Sequence, residues 1–291
     1  KVTTPWIMTD ELIYSEMAKS FSSSGHFLVR DAPSNVVSVA YPALISPAWW
    51  FHPMSTTYAL AKAVNVVLMT AAAVPLFLWA RRLVAPAWAV VAVALTLLLP
   101  SFVYTGMLMT ENAFLPAFVL AAFAFAAALE RPTLLRQGLA FAAILLASLV
   151  RLQGLVLVAV LPTAILLKVV FELLAVRRDR AWRFAWTELR RYWTTGALLL
   201  VGAVVYVLRE VAAGRSLSSG LGSYQDVAHS GYSFGQVRHW VLLHAAELPL
   251  AAGVIPVCAF LLLFGLAFVR GGTRNESERA FLAVTAAAVV W

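Results

Sequence analysis

Residues 112–130 read NAFLPAFVLAAFAFAAALE, and among them only Glu130 carries a charge. A helix needs about 20 mainly apolar residues to cross the hydrocarbon core of a bilayer. The run lacks the strict alternation of apolar and polar residues that marks the strands of a membrane barrel. It therefore predicts a transmembrane α-helix.

The same pattern extends over most of the chain. The protein has 291 residues, of which 62% are hydrophobic and 12% are charged, and its mean hydropathy is +0.84. Soluble domains have about 45–50% apolar and about 25% charged residues, so the composition excludes a soluble domain. We predict an all-α fold, a polytopic transmembrane helical bundle with about eight spans: 56–80, 86–105, 112–130, 135–150, 152–174, 193–213, 244–269 and 279–291.

The first 55 residues are more polar and predict helices that lie along the membrane interface. Between positions 9 and 21 a stripe of apolar residues recurs every four positions, which indicates a helix: Ile13, Met17 and Phe21. A second short element follows at 41–47, and the paired Trp49 and Trp50 are typical interface anchors. We therefore divide the chain into an outer loop, 1–55, and a transmembrane bundle, 56–291. We expect the chain to be a fragment that lacks a first span and a C-terminal part.

The basic residues predict which loops face which side of the membrane. Most lysine and arginine residues fall in one set of loops, which we expect to be cytoplasmic because cytoplasmic loops carry such an excess: 81–82, 131–136, 177–191 and 270–279. The opposite set then faces the periplasm or the exterior: 1–55, 104–112, 151–154 and 214–243. Topology accounts for the net charge of +8, so we predict no nucleic-acid partner.

Asp10 and Glu11 stand at the head of the first predicted helix, and two interpretations of them are open. Thr9 can cap the helix while the two acids favour its dipole. Alternatively, a carboxylate held at the membrane surface can take a proton from a hydroxyl nucleophile. The two roles are compatible, because a helix N-terminus is also a rigid mount.

Glu111 and Arg151 form a second group of candidates on the same expected side. Glu111 stands at the outer end of the third span, where it either serves the helix dipole or lines the same pocket as Asp10. Arg151 lies at a tight turn on the side that is poor in arginine. It either reaches to lipid headgroups or holds a lipid phosphate with its planar fork of donors.

Lys62 and His52 are reserve candidates for binding the same phosphate. Lys62 stands about one turn into the first span, from which its long side chain can also reach outward to the headgroups. His239 and His244 are five positions apart, which is not the spacing that puts two metal ligands on one helix face. We therefore predict no metal site from these patterns and leave a divalent metal cofactor open.

Together these features resemble the GT-C membrane glycosyltransferases, in particular the protein O-mannosyltransferases and the bacterial enzymes that transfer aminoarabinose to lipid A. The resemblance covers 1–174 best and rests on an Asp-Glu pair heading an interfacial helix, a Tyr-Pro element at 41–42, and the acid-Asn pair at 111–112. It implies that Asp10 is the catalytic base, with Glu11 as its neighbour. It also implies that the donor is a sugar on a polyprenyl phosphate at the outer face.

The expected function is therefore a polyprenyl-phosphate-sugar-dependent glycosyltransferase of the cell membrane. It would act by inverting displacement on a lipid, glycan or protein acceptor, among membrane lipids, with its site on the periplasmic or extracellular side. The alternative is a transporter or flippase for a lipid-linked or polar substrate, which also places ionisable residues in membrane cavities. That alternative predicts charge near mid-span and paired broken helices in two related halves, and the sequence pattern shows neither.

We predict that an impermeant maleimide applied to intact cells labels Ser218→Cys and leaves Thr187→Cys unlabelled, in a chain whose Cys258 is replaced by alanine. The expected result follows from the excess of arginine in 177–191. Both positions should be labelled after the cells are permeabilised. Labelling of Thr187→Cys in intact cells would overturn the predicted topology.

Overall fold

The computed structural model describes residues 8–34, 36–175, 181–225, 231–269 and 275–291, and it is nearly all helical. Parts of the basic loops considered above, 176–180 and 270–274, lie outside the described residues. The chain divides into two compact units. The first comprises 1–123 and 142–155, and the second comprises 124–141 and 156–291. The boundary at position 55 divides the chain by its place in the membrane, and it stays a prediction.

The first unit begins with short elements in the segment that is predicted to lie at the interface: α1 Thr9–Ser24, the two-residue strands β1 Leu28–Val29 and β2 Ala32–Pro33, α2 Ala40–Ile45 and a 3-10 helix Ser46–Trp50. Both elements predicted there are helical. Gly25 ends α1 in the left-handed region with φ of 71°, and its N–H donates to the Phe21 carbonyl. The helix begins after Met8 without a side-chain cap, so the prediction that Thr9 caps it is wrong.

The buried face of α1 is not the predicted apolar stripe alone. Met17, Tyr14 and Ala18 are buried as a helical stripe requires, but Glu11 and Ser15 are buried with them. The Tyr14 ring meets the Tyr41 ring of α2 edge to face, with centroids 5.8 Å apart. This contact fixes α1 against α2.

Three helices follow: α3 Met54–Ala71, α4 Ala73–Ala80 and α5 Pro86–Leu97. Together α3 and α4 form one apolar stretch, Met54–Ala80, that is long enough to cross a membrane. Pro86 lies in the first turn of α5, as expected, but α5 ends at Leu97 and a 3-10 helix runs over Pro100–Gly106. Pro100 has no N–H to continue the helix, so the run predicted at 86–105 contains only a short α-helix.

The next elements are α6 Glu111–Glu130, α7 Leu134–Val150, a 3-10 helix Leu152–Val156 and α8 Leu157–Ala175. Residues 111–123 of α6 and 142–150 of α7 belong to the first unit, and the rest of both helices belongs to the second. The turn at 151–154 is tight, because the backbone at Gly154 runs against the backbone of Ala147 and Ser148 in α7.

The second unit continues with α9 Ala181–Arg190, α10 Trp193–Ala212, a 3-10 helix Ser219–Tyr224, α11 Phe234–Ala252, α12 Val254–Val269 and α13 Glu276–Val290. Its core lies where α13 packs along α8 through small and branched apolar residues. The ring of Phe171 on α8 also contacts Phe264 and Phe268 of α12 edge to face.

Several helices among the described residues are long and apolar enough to span a membrane, which is compatible with a multi-pass membrane protein. Four qualify singly: Met54–Ala80, Glu111–Glu130, Leu152–Leu174 and Trp193–Ala212. A fifth is obtained if α11 and α12 form one span, but their axes are bent by 115° at Gly253, so the run at 244–269 is not one straight helix. The count of about eight spans therefore stays a prediction.

We predict that Gly154→Ala lowers the thermal stability of the purified protein. An added Cβ would lie 2.5 Å from backbone atoms of Ala147 and Ser148, so the turn has to open. Overpacking of this kind costs about 1–3 kcal/mol. Gly138→Ala in α7 is the matched control, because its added Cβ meets no atom within 4 Å. Equal unfolding temperatures for both variants in the same detergent would contradict the tight packing of this turn.

Candidate functional site

Buried side chains hold the irregular segment that leads into α6. The Tyr41 hydroxyl donates to Asn65 Oδ1 at 2.9 Å, and Asn65 Nδ2 donates to the Met107 carbonyl at 2.7 Å. Asn112 Nδ2 donates to the same carbonyl at 2.9 Å and to the carbonyl of Met109 at 3.0 Å. Burial raises the pKa of the Tyr41 hydroxyl, so it remains a proton donor. These bonds fix the backbone immediately before Glu111.

Glu11 joins α1 to this segment. Its side chain is only 1% exposed, and its Oε1 accepts a hydrogen bond from the Leu108 N–H at 3.2 Å. Asp10 is exposed, because neighbouring residues of a helix point about 100° apart. The two adjacent acids therefore occupy different environments, and only Asp10 is open to a molecule that arrives from solution.

Arg151 and Glu111 form an ion pair through Arg151 Nη1 and Glu111 Oε1. Arg151 Nη1 also donates to Thr110 Oγ1 at 3.3 Å, and its Nε donates to Gln153 Oε1 at 2.9 Å. The two paired side chains are 25% and 24% exposed, so they lie at the edge of the packed region. The polar cluster thus comprises Arg151, Glu111, Thr110 and Gln153, although Glu111 and Arg151 are forty positions apart in the sequence.

The pKa of the Tyr14 hydroxyl reflects the charges of several candidate residues. Burial raises the pKa of its hydroxyl, a hydrogen bond with Thr110 lowers it, and the charge of Asp10 raises it again. Arg151 and Glu111 also act on this hydroxyl, in opposite directions. One phenol therefore lies within electrostatic reach of Asp10, Glu111 and Arg151, which the sequence analysis selected separately.

An apolar cleft of about 290 Å³ adjoins the cluster at Glu111. The remaining lining comes from α3, the 3-10 helix Pro100–Gly106 and α6, and it is mainly aromatic: Met69, Tyr104, Phe114, Leu115 and Phe118. The cleft thus combines an apolar wall with one carboxylate at its polar edge. Such a site suits an amphiphile, whose polar head would meet Glu111 and Arg151 while its apolar part enters the cleft.

The reserve candidates lie in different places. Lys62 is half-buried on α3, one helical turn after Tyr58, which lies close to Ser15 and Glu11. Residues four positions apart share a helix face, so Lys62 stands on the side of α3 that faces α1. His52 is exposed in the turn before α3, and no contact with Arg151 or Glu111 is observed.

Several contributors were missed by sequence reasoning. The sequence analysis singles out none of Tyr14, Thr110 and Asn65. A usable signal existed for Asn65, because an amide within an apolar helix needs a hydrogen-bond partner. Within the described ranges, no group of three or more His, Cys, Asp or Glu side chains is placed to hold a metal ion. A divalent metal cofactor stays an untested possibility.

Comparison of the chain with protein-family models, curated proteins and solved structures finds no match in any of the three. The resemblance to the GT-C glycosyltransferases therefore rests on the quoted residues alone.

Proposed function

We propose that the protein is a membrane glycosyltransferase that uses a sugar linked to a polyprenyl phosphate. One observation carries the proposal: the Arg151–Glu111 ion pair borders an apolar cleft, and the charges of Asp10, Glu111 and Arg151 all influence the pKa of the Tyr14 hydroxyl. An exposed carboxylate, a guanidinium and an apolar cleft can supply the base, the phosphate partner and the lipid site of transfer from a lipid phosphate. The residues would face the periplasm or the exterior, in line with the distribution of basic loops.

The donor would bind with its phosphate near Arg151 and the first part of its lipid in the cleft. Ligand pockets commonly enclose about 300–1,000 Å³. At about 290 Å³ the cleft has room only for the portion of a polyprenyl chain next to the phosphate. Glu111 accepts from Arg151 and so holds the guanidinium at the mouth of this cleft. Lys62 and His52 remain reserve candidates for the same phosphate.

The reaction would be a single displacement at the anomeric carbon. Asp10 takes the proton of the acceptor hydroxyl as the acceptor oxygen attacks from the face opposite the phosphate. The bond between the anomeric carbon and the phosphate oxygen breaks, and polyprenyl phosphate leaves with the bonding electrons. Arg151 stabilises the charge that develops on the leaving group. Glu11, which is buried, would position α1 rather than exchange protons with the substrate.

Two structural observations favour the alternative of a transporter or flippase. The bend of 115° between α11 and α12 is the kind of broken helix that transporters use, and the sequence pattern did not predict it. The candidate span Leu152–Leu174 also contains a buried ion pair, in which Lys168 Nζ lies 2.7 Å from Glu172 Oε1. Both features belong to the second unit, whereas the proposed transfer site lies wholly in the first.

We predict that Asp10→Asn reduces sugar transfer from a polyprenyl-phosphate donor by about 100- to 10,000-fold, because loss of a general base costs that much. Transfer would be measured with the full chain in lipid vesicles. The unfolding temperature should change little, since an exposed acid in the first helical turn contributes about 0.3–1 kcal/mol.

The matched control is Asp31→Asn. Asp31 is an exposed acid in the β1–β2 turn with φ of 64°, a conformation that asparagine adopts readily. The Asp31→Asn variant should retain normal sugar transfer. Near-normal turnover of Asp10→Asn would remove Asp10 from the mechanism. The transporter would be supported instead if the unaltered protein moved the donor across the vesicle membrane but transferred no sugar.

Arg151→Lys should raise the donor KM by about tenfold and Arg151→Ala should raise it further, with the acceptor KM unchanged. Lysine retains the charge but loses the planar fork that reaches Thr110 and Gln153 together. Arg209→Lys is the control, because Arg209 also lies near an acid, with Nη1 3.8 Å from Glu210 Oε1, but in the second unit. Donor kinetics that are unchanged in both Arg151 variants would make Arg151 a headgroup anchor only.

A further inference from the structure

The helix α9 exposes a row of large aromatic side chains. Trp182 is 78% exposed, Trp186 is 56% exposed and Trp193, at the start of α10, is 69% exposed. Positions 182 and 186 fall on one side of α9, since four residues are close to one turn, and Trp193 is exposed in the first turn of the next helix. The opposite side of α9 is buried through Ala185 and Glu188. The tryptophan row is thus a surface rather than part of the core.

Arginine residues lie directly beside the tryptophan row. Arg183 and Arg190 are exposed on α9 and stand about a quarter-turn from Trp182 and Trp186. We name these five residues the Trp–Arg surface: Trp182, Trp186, Trp193, Arg183 and Arg190. Tryptophan and arginine are the side chains that favour the boundary between the acyl chains and the charged headgroups of a bilayer.

Specific hydrogen bonds fix the orientation of this surface. The Tyr192 hydroxyl donates to the Leu129 carbonyl at 3.0 Å, which attaches the end of α9 to α6. Gln137 Nε2 donates to the Arg191 carbonyl at 3.0 Å, and its Oε1 accepts from the Thr195 N–H at 2.9 Å. All of these residues belong to the second unit, and Gln137 is buried. The surface is therefore held in place by the fold.

The position of α9 in the chain places the surface at the membrane boundary. The segment lies between two helices that are long and apolar enough to cross a membrane, Leu152–Leu174 and Trp193–Ala212. The chain therefore leaves and re-enters the bilayer on the same side, and α9 lies at that side. A helix there with exposed tryptophan and arginine faces lipid headgroups.

We infer that the Trp–Arg surface binds the headgroups of anionic phospholipids in the leaflet beside α9. Charge complementarity selects this occupant, because two exposed arginines accompany the three tryptophans and anionic headgroups attract arginine near the membrane surface. The tryptophan rings would enter the acyl boundary while the guanidinium groups pair with phosphate. The inference does not depend on the proposed transferase activity.

The test is lipid binding to the purified full chain, measured by native mass spectrometry in a neutral detergent. The probes are dioctanoyl-phosphatidylglycerol and, separately, dioctanoyl-phosphatidylcholine. The unaltered protein should bind the anionic lipid more tightly. The double variant Arg183→Gln/Arg190→Gln should weaken binding of the anionic lipid by about tenfold and leave phosphatidylcholine binding unchanged.

The control is Arg209→Gln/Arg238→Gln, which removes the same charge from two exposed arginines on α10 and α11. It should retain the preference for the anionic lipid. A second test uses the unaltered protein at raised salt concentration. Salt screens the attraction between arginine and phosphate, so the preference for the anionic lipid should fall. Equal affinity for the two lipids, or an equal loss in the control, would overturn the inference. So would a dimer that Trp182→Phe/Trp186→Phe abolishes, because the surface would then bind a second copy.

Discussion

The backbone of the irregular segment between α5 and α6 must be hydrogen-bonded among apolar helices. In apolar surroundings each unsatisfied N–H or carbonyl costs several kcal/mol, and beyond the 3-10 helix Pro100–Gly106 this segment has no helical ladder to satisfy its own groups. Asn65 and Asn112 donate to its carbonyls, and Glu11 accepts from the Leu108 N–H. The polar cluster depends on these hydrogen bonds, since Thr110 and Glu111, two of the partners of Arg151, follow the segment directly.

Composition and periodicity predicted the helical elements well where a run was uniform. The helix at 9–21 follows from an apolar stripe, and α5 begins where the predicted span at 86–105 begins. The breaks were harder to predict, because an apolar run has the same composition on both sides of a bend. Pro100 was a signal that α5 had to end, and Gly253, with φ of 90°, marked the bend between α11 and α12.

The sequence selected the candidate residues and did not predict how they are arranged. Asp10, Glu111 and Arg151 were selected because charged residues are rare in an apolar chain. Arg151 pairs with Glu111, and the charges of all three influence the pKa of the Tyr14 hydroxyl. That Glu11 would be buried while Asp10 stays exposed depends on how α1 is rotated against α2. Tertiary packing sets that rotation, and the apolar stripe alone does not fix it. The ion pair of Arg151 with Glu111 depends on the turn at Gly154, which only the folded backbone shows.

The hydrogen bond between Glu11 and Leu108 joins residues 97 positions apart, and it imposes an order on biosynthesis. As the ribosome delivers the chain from its N-terminus, α1 emerges long before Leu108 does. Until then the Glu11 carboxylate remains hydrated, since burial of a charge without its partner is costly. The bond between Glu11 and Leu108 can therefore form only after α3, α4 and α5 have been synthesised. The assembly of this unit then continues, because its residues 142–155 are synthesised later still.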